Sequence, residues 1–254
     1  LPRIGFFNDT QRDAIKGAEV YGGLKAGFVS GQATEDIIAK AILGSSELGS
    51  YLTPTQVLNY VEAHDNFNLH DLLVDLHPDD DELIRAKRIE LATAMNLLMQ
   101  GMAFMELGQE FSRTKLVGTG EEGQVLPSDR DRAMNSYNAP DAVNQVNWEL
   151  ISQHQESIDY IKQIIHLKTS QKEFSYQTYE EIYKHVFVRE AFAGSGIVIF
   201  EIKDEKHYEI IFNASGLPYY LENADHLRLV VGNSRHKRPF YVEHLTASIF
   251  EVIK

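Results

Sequence analysis

The chain has 254 residues, a formal net charge of -13 and no cysteine. That length can bury a sizeable core, as one large domain or as two. The acidic balance argues against nucleic acid and anionic membrane surfaces, which need a basic footprint, and the missing cysteines exclude disulfides, thiolate metal sites and a cysteine nucleophile. No apolar run reaches the roughly 18 residues of a membrane-spanning helix; the most apolar region, residues 92–107, is broken by Asn96, Gln100, Gly101 and Glu106. No signal peptide opens the chain. A cysteine-free composition suits the cytoplasm, and equally an exported or cell-surface bacterial protein whose targeting segment lies outside these residues. Leu1-Pro2 runs almost at once into Ile4-Gly5-Phe6-Phe7, an opening that reads as the interior of a longer protein.

In chain order, residues 4–7 predict a short buried strand followed by the polar Asn8-Asp9. Residues 36–43 predict a helix capped by Thr34 with Glu35 in its first turn. Residues 57–61 predict a second strand. The acidic run at 79–82 supplies caps for a long helix carrying Leu83, Ala86, Ile89, Ala94, Leu97 and Leu98 at mostly helical spacing, with Gly101 as its C′ residue. A third strand over 102–107 is followed by Gly108-Gln109-Glu110-Phe111, a long irregular loop over 117–147 and an amphipathic helix over 153–167 with Ile158, Ile161, Ile165 and Leu167 on one face. After residue 172 the pattern changes to short β-branched and aromatic runs at 183–189, 197–202, 208–212, 227–231 and 247–253, punctuated by Gly194, Gly196, residues 213–216 and Gly232-Asn233. Such runs predict a small antiparallel sandwich.

The segment N-Y-V-E-A-H-D-N over residues 59–66 ends an apolar run in His64, Asp65 and Asn66. In parallel α/β folds, residues past the carboxyl end of a strand face the ligand site. By itself His-Asp also suits a capping or turn aspartate, a buried histidine or a metal ligand. No H-x-x-x-H or H-E-x-x-H occurs, and His70 and His77 lie at spacings that fit no metal site. No twelve-residue EF-hand pattern is present for calcium. The sequence therefore implies no metal and no cofactor.

Four motifs in unbroken order give the segment a context: R-D-A-I-K-G (residues 12–17), V-E-A-H-D-N (61–66), G-Q-E-F-S-R-T-K (108–115) and N-S-Y-N-A-P-D-A-V-N-Q-V-N-W (135–148). Together they resemble the last third of type I pullulanases, debranching enzymes of the α-amylase clan of glycoside hydrolases, over residues 3 to about 172. The resemblance implies an α/β fold: the C-terminal part of a (β/α)8 barrel, about its last three βα units, over residues 1–172, and an all-β sandwich over 173–254. It implies retaining hydrolysis of α-1,6-glucosidic branch linkages in pullulan, glycogen and limit dextrins, in which Asp65 stabilises the transition state and His64 donates to the same sugar. It also implies substrate contacts for Asn66 and for Tyr137 and Asn138 of the long loop, an α-glucan partner, and calcium in some relatives. The segment before G-Q-E-F departs from the family pattern, with Ala103 and Met105-Glu106-Leu107 in place of a proline and a small or histidine-containing stretch.

The nucleophile and the acid/base of such enzymes belong to strands earlier than these, so the chain alone is expected to be inactive. Three βα units leave open strand edges, which favours self-association. Arg12 and Asp13 are expected to pair locally, and Trp148 to anchor its loop in the core. A different class of function, a noncatalytic carbohydrate-binding or structural module with the sandwich as its working part, would use Tyr219-Tyr220 as a sugar platform.

Overall fold

The computed structural model describes residues 4–21, 23–222, 224–232 and 240–253. Leu1, Pro2 and the Asn233 turn position lie outside them. The first part is a run of strands and helices. β1 (Phe6–Phe7), α1 (Asp9–Lys16), the hairpin β2 (Gly17–Val20) and β3 (Gly23–Ala26), α2 (Glu35–Ile42), β4 (Val57–Asn59), α3 (Leu69–Leu76), α4 (Glu82–Leu98) and β5 (Met102–Ala103) follow in order. β1, β4 and β5 form a parallel sheet in that order, with Phe7 opposite Leu58 and Asn59 opposite Ala103. Helices intervene between successive strands, as parallel pairing requires.

Several boundaries differ from the sequence expectation. The third strand shrinks from residues 102–107 to two residues, because the chain turns away at Phe104 after its N–H reaches the Asn59 carbonyl at 2.8 Å. Thr34 stands at the N-terminus of α2, yet its hydroxyl donates to the Ala14 carbonyl at 2.8 Å and so ties α2 to α1. Asp81 does cap α4, accepting from the Ile84 N–H at 2.8 Å. That helix ends at Met99, so Gly101 (φ +112°) lies one residue beyond the C′ position.

The loop expected over 117–147 contains α5 (Pro127–Met134) and α6 (Asp141–Asn144). It is followed by α7 (Leu150–Gln153) and α8 (Gln155–Ser170). α8 buries Ile158, Ile161, Ile164 and Leu167, whereas Ile165 is partly exposed; the inward face is rotated by one residue from the expected one. Trp148 is 59% exposed, with its ring 6.2 Å from that of Phe111, and so stands on the surface instead of anchoring its loop in the core.

α9 (Tyr179–His185) occupies the start of the first expected β run; its capping box pairs Thr178 with Glu181. Beyond it, β6 (Val186–Glu190), β7 (Ile197–Lys203), β8 (His207–Asn213), β10 (Leu227–Gly232) and β12 (Thr246–Val252) form one antiparallel sheet in the order β10-β12-β8-β7-β6. The remaining strands, β9 (Tyr219–Tyr220) and β11 (Tyr241–Val242), pair as a two-stranded ribbon. Alternation along the large sheet divides its side chains. Val198, Phe200, Ile210, Phe212 and Ile249 join the core built on α4 and α8, while Ile197, Ile199, Ile211 and Phe250 form a smaller cluster with Val242 and Tyr219 of the ribbon. The sheet's partner layers are thus helices on one face and a short ribbon on the other.

Candidate functional site

The residues that follow the parallel strands gather at one end of the sheet. Asn8, after β1, donates through Nδ2 to Asn59 Oδ1 of β4 at 3.1 Å and to Ser45 Oγ at 2.7 Å, and Asn59 Nδ2 donates to the Gln100 carbonyl. These buried amides hold the strand ends in register. Arg12 Nε donates to Asp13 at 2.6 Å, the expected local pair, and Arg12 also donates to the Tyr60 hydroxyl.

Past β4 the chain runs through buried Tyr60, Val61 and Glu62 and emerges at His64 and Asp65, whose side chains are 73% and 71% exposed. His64 Nε2 lies 3.4 Å from Asp65 Oδ1. Asn66 has φ +65°, a left-handed conformation that asparagine tolerates better than most residues. Asp65 forms an isolated antiparallel bridge with Asn135. The long loop is thereby set beside the His-Asp-Asn turn, with Tyr137 (74% exposed) and Asn138 (also exposed) two and three residues beyond the bridge. The five residues singled out from the sequence therefore belong to two adjoining loops.

What sequence reasoning missed is how this exposed turn is held. Lys115, almost wholly buried, donates its ammonium to the carbonyls of His64 (3.1 Å) and Asn66 (2.7 Å). Lys16, equally buried, donates to the Phe67 carbonyl at 2.6 Å, and the Phe67 N–H donates to Glu19 at 2.9 Å. Burial lowers the pKa of both lysines. Gly17 makes the Lys16 geometry feasible: with φ +104° it turns α1 directly into β2, and a Cβ there would lie 2.3 Å from the Lys25 carbonyl.

Glu62 Oε2 accepts from the Leu69 N–H at 2.7 Å and so caps α3 from a distance, while Asn68, at the cap position itself, donates instead to the Arg113 carbonyl. Burial raises the Glu62 pKa to about 7, against the opposing Leu69 hydrogen bond and Lys16 charge. The Asp71 carboxylate, fully buried, accepts from the Lys115 N–H at 2.8 Å and from the Thr114 hydroxyl. Arg113 donates to the Asn144 carbonyl at 2.7 Å, and Asn144 Nδ2 donates to the Ser136 carbonyl at 2.7 Å. Each of these supports lies within or just beside a motif visible in the sequence. Buried lysine, however, is rare enough that composition alone points the other way.

Tyr219 and Tyr220 sit apart from this site on the ribbon, where Tyr220 is 72% exposed and its ring lies 6.0 Å from that of Tyr241. Among the described residues no group of three or more His, Asp or Glu side chains could hold a metal ion, and no helix is long and apolar enough to cross a membrane.

No family model matches the chain. It is 34% identical to the pullulanase of Bacillus subtilis (strain 168) over 192 residues, 73% of this chain and 24% of that protein. It is 28% identical to the chloroplastic pullulanase 1 of Arabidopsis thaliana over 195 residues, 59% and 19% of the two chains. The pullulanase of Anoxybacillus sp. LM18-11 complexed with maltotetraose superposes over 99% of this chain and 35% of its own length, with a TM-score of 0.83 and 30% identity. The Paenibacillus barengoltzii pullulanase, in complex with maltohexaose and α-cyclodextrin, gives a TM-score of 0.82 at 29% identity over 100% of this chain and 39% of its own. This chain spans about a quarter of the length of the Bacillus protein and somewhat more than a third of the two crystallised ones. With four motifs in order, a parallel sheet followed by a five-stranded antiparallel one, and these likenesses, the chain is a homologue of the pullulanase glycosidases that covers part of the enzyme.

Proposed function

We infer that this chain is the part of an α-1,6-glucan debranching enzyme that grips the sugar, and that Asp65 is its transition-state stabiliser. In this reading residues 1–172 are the last βα units of a (β/α)8 barrel and residues 173–254 an all-β domain. The observation that carries the reading is the meeting of two loops: the exposed His64-Asp65-Asn66 turn, past the carboxyl end of a parallel strand, is bridged to the loop bearing Tyr137 and Asn138. An exposed carboxylate with an imidazole 3.4 Å away can accept from two sugar hydroxyls while the ring donates to a third. Tyr137 offers an aromatic face to a pyranose, and Asn66 and Asn138 offer amides. Malto-oligosaccharides are bound in two of the related pullulanases of known structure, and a neutral glucan suits a chain of net charge -13.

Retaining hydrolysis needs a nucleophile and an acid/base about 5–5.5 Å apart, and in this proposal both lie outside these 254 residues. The chain alone should release no reducing sugar from pullulan above a blank; measurable release would overturn that assignment. Its sugar grip is testable directly. Titration with maltotriose, followed by amide chemical shifts, should move residues 64–66 and 137–138, and Asp65→Ala should weaken binding by about tenfold or more, as expected for a hydrogen-bonded charged group. Shifts confined to the ribbon around Tyr220, insensitive to Asp65→Ala, would instead mark a noncatalytic binding module.

A further inference from the structure

We propose that Lys115 is the positioning residue of the sugar-gripping turn: one buried ammonium, clamped between two main-chain carbonyls, fixes where the Asp65 carboxylate points. The proposal rests on the functional reading of Asp65 given above. The geometry behind it is local and complete. Asp65 and His64 are more than two-thirds exposed, and their side-chain contact is with each other, so side-chain packing does little to fix them. What fixes them is the backbone on either side. Lys115 Nζ donates at 3.1 Å to the carbonyl before Asp65 and at 2.7 Å to the carbonyl after it. Two bonds from a single atom to the carbonyls of residues i and i+2 pin the His64–Asp65 and Asn66–Phe67 peptide planes, and with them the short span of backbone from which the Asp65 side chain projects.

The clamp is itself clamped. The Lys115 main-chain N–H donates to buried Asp71 at 2.8 Å, so the stem of the lysine starts from a fixed point on α3. Two residues earlier, Arg113 donates to the Asn144 carbonyl in the loop that carries Tyr137 and Asn138. A single segment therefore sets the height of both loops. Asn66 takes a left-handed backbone that asparagine tolerates, and the Lys115 bond to its carbonyl selects that conformation from the buried side. A lysine serving only solubility or surface charge would reach for solvent; this one is 3% exposed.

Replacement of Lys115 should loosen residues 64–66 selectively. In Lys115→Met, amide hydrogen exchange at Asp65, Asn66 and Phe67 should quicken by about tenfold or more while amides of α4 and β7 keep their protection. The Kd for maltotriose should rise by about tenfold, as displacement of a gripping group by a fraction of an ångström to one ångström costs that much or more. Lys115→Gln, which keeps an N–H donor one bond shorter, should fall between the two in both measurements and carries the test alone where the methionine variant does not fold. Unchanged exchange at 64–67, or exchange that quickens equally throughout the molecule, overturns the proposal, because the lysine then serves the fold at large. Asp65→Ala in parallel separates the two ideas. If it leaves maltotriose affinity untouched, the sugar-gripping role of Asp65 is wrong, while the exchange data still decide whether Lys115 holds the turn.

Discussion

Glu62 lies directly behind the His-Asp-Asn turn, buried, with one oxygen on the Leu69 N–H and the other without a hydrogen-bond partner. Burial lifts its pKa from the ordinary carboxylate value of 4.5 to about 7. A carboxyl raised in this way favours the protonated folded chain, so its contribution to stability is complete below about pH 4.5 and is lost as the pH climbs through 7. Each tenfold change in proton affinity is worth about 1.4 kcal/mol, which makes the effect on the order of 3 kcal/mol. Glu62→Gln keeps the acceptor for Leu69 and removes the titration. Relative to wild type, the variant should gain stability steadily between pH 5 and pH 8 in denaturant melts. A difference that stays flat with pH would show that Glu62 is ionised throughout. Lys168 is the reverse case: its ammonium donates to the Met99 and Phe174 carbonyls, and burial lowers its pKa to about 7. Its contribution is complete above about pH 10.5 and is lost as the pH falls through 7.

Elements whose signals are strictly local could be foreseen from the chain. Asp81 is the clearest: an aspartate ahead of an apolar periodic run, found accepting from the Ile84 N–H. Asp81→Ala should cost about 1 kcal/mol, visible as a drop of a few degrees in Tm for a chain of this size; an unchanged Tm would mean that tertiary packing alone holds the first turn of α4. The strands of the five-stranded sheet were legible to within a few residues because their β-branched runs are long. α1, α3 and α9 lie outside the sequence expectation, though each carries a signal in hindsight. Asn8 accepts from the Gln11 N–H at the start of α1, Leu69, Leu72, Leu73 and Leu76 repeat at helical spacing in α3, and Thr178 and Glu181 form a capping box. Ile165 gave way to Ile164 because neighbouring isoleucines leave the phase of a helix open until its partner is known. Of the site, the exposed tip was legible, since polar residues ending an apolar run have no packing reason to be there. Its supports were not: Lys16 and Lys115 reach main-chain carbonyls about fifty residues away, and a carbonyl has no sequence signature.

On the scale of the whole molecule, β1 and β5 are each paired on one side only among the described residues, and Phe6, Phe7 and Met102 near those edges are substantially exposed. The other end is closed. α4 touches both α8 and β12, α2 touches β7, and one continuous core runs from Ile15 and Phe28 through Leu91 and Ile164 to Phe200 and Ile249. The connecting stretch around residue 172 is stitched to the end of α4 rather than hung between two bodies. Gln100 donates to the Glu173 carbonyl at 2.8 Å and accepts from the Tyr176 N–H at 3.0 Å, and Lys168 reaches the Phe174 carbonyl. Chemical denaturation should therefore show one transition by both tyrosine fluorescence and far-ultraviolet dichroism, whereas two separated midpoints would mean that the core is divided. The same stitching bears on cleavage. A protease that nicks the backbone between residues 171 and 178 severs one covalent link and none of the packing, so the cut chain should elute from a sizing column as a single species and come apart into two bands only in detergent.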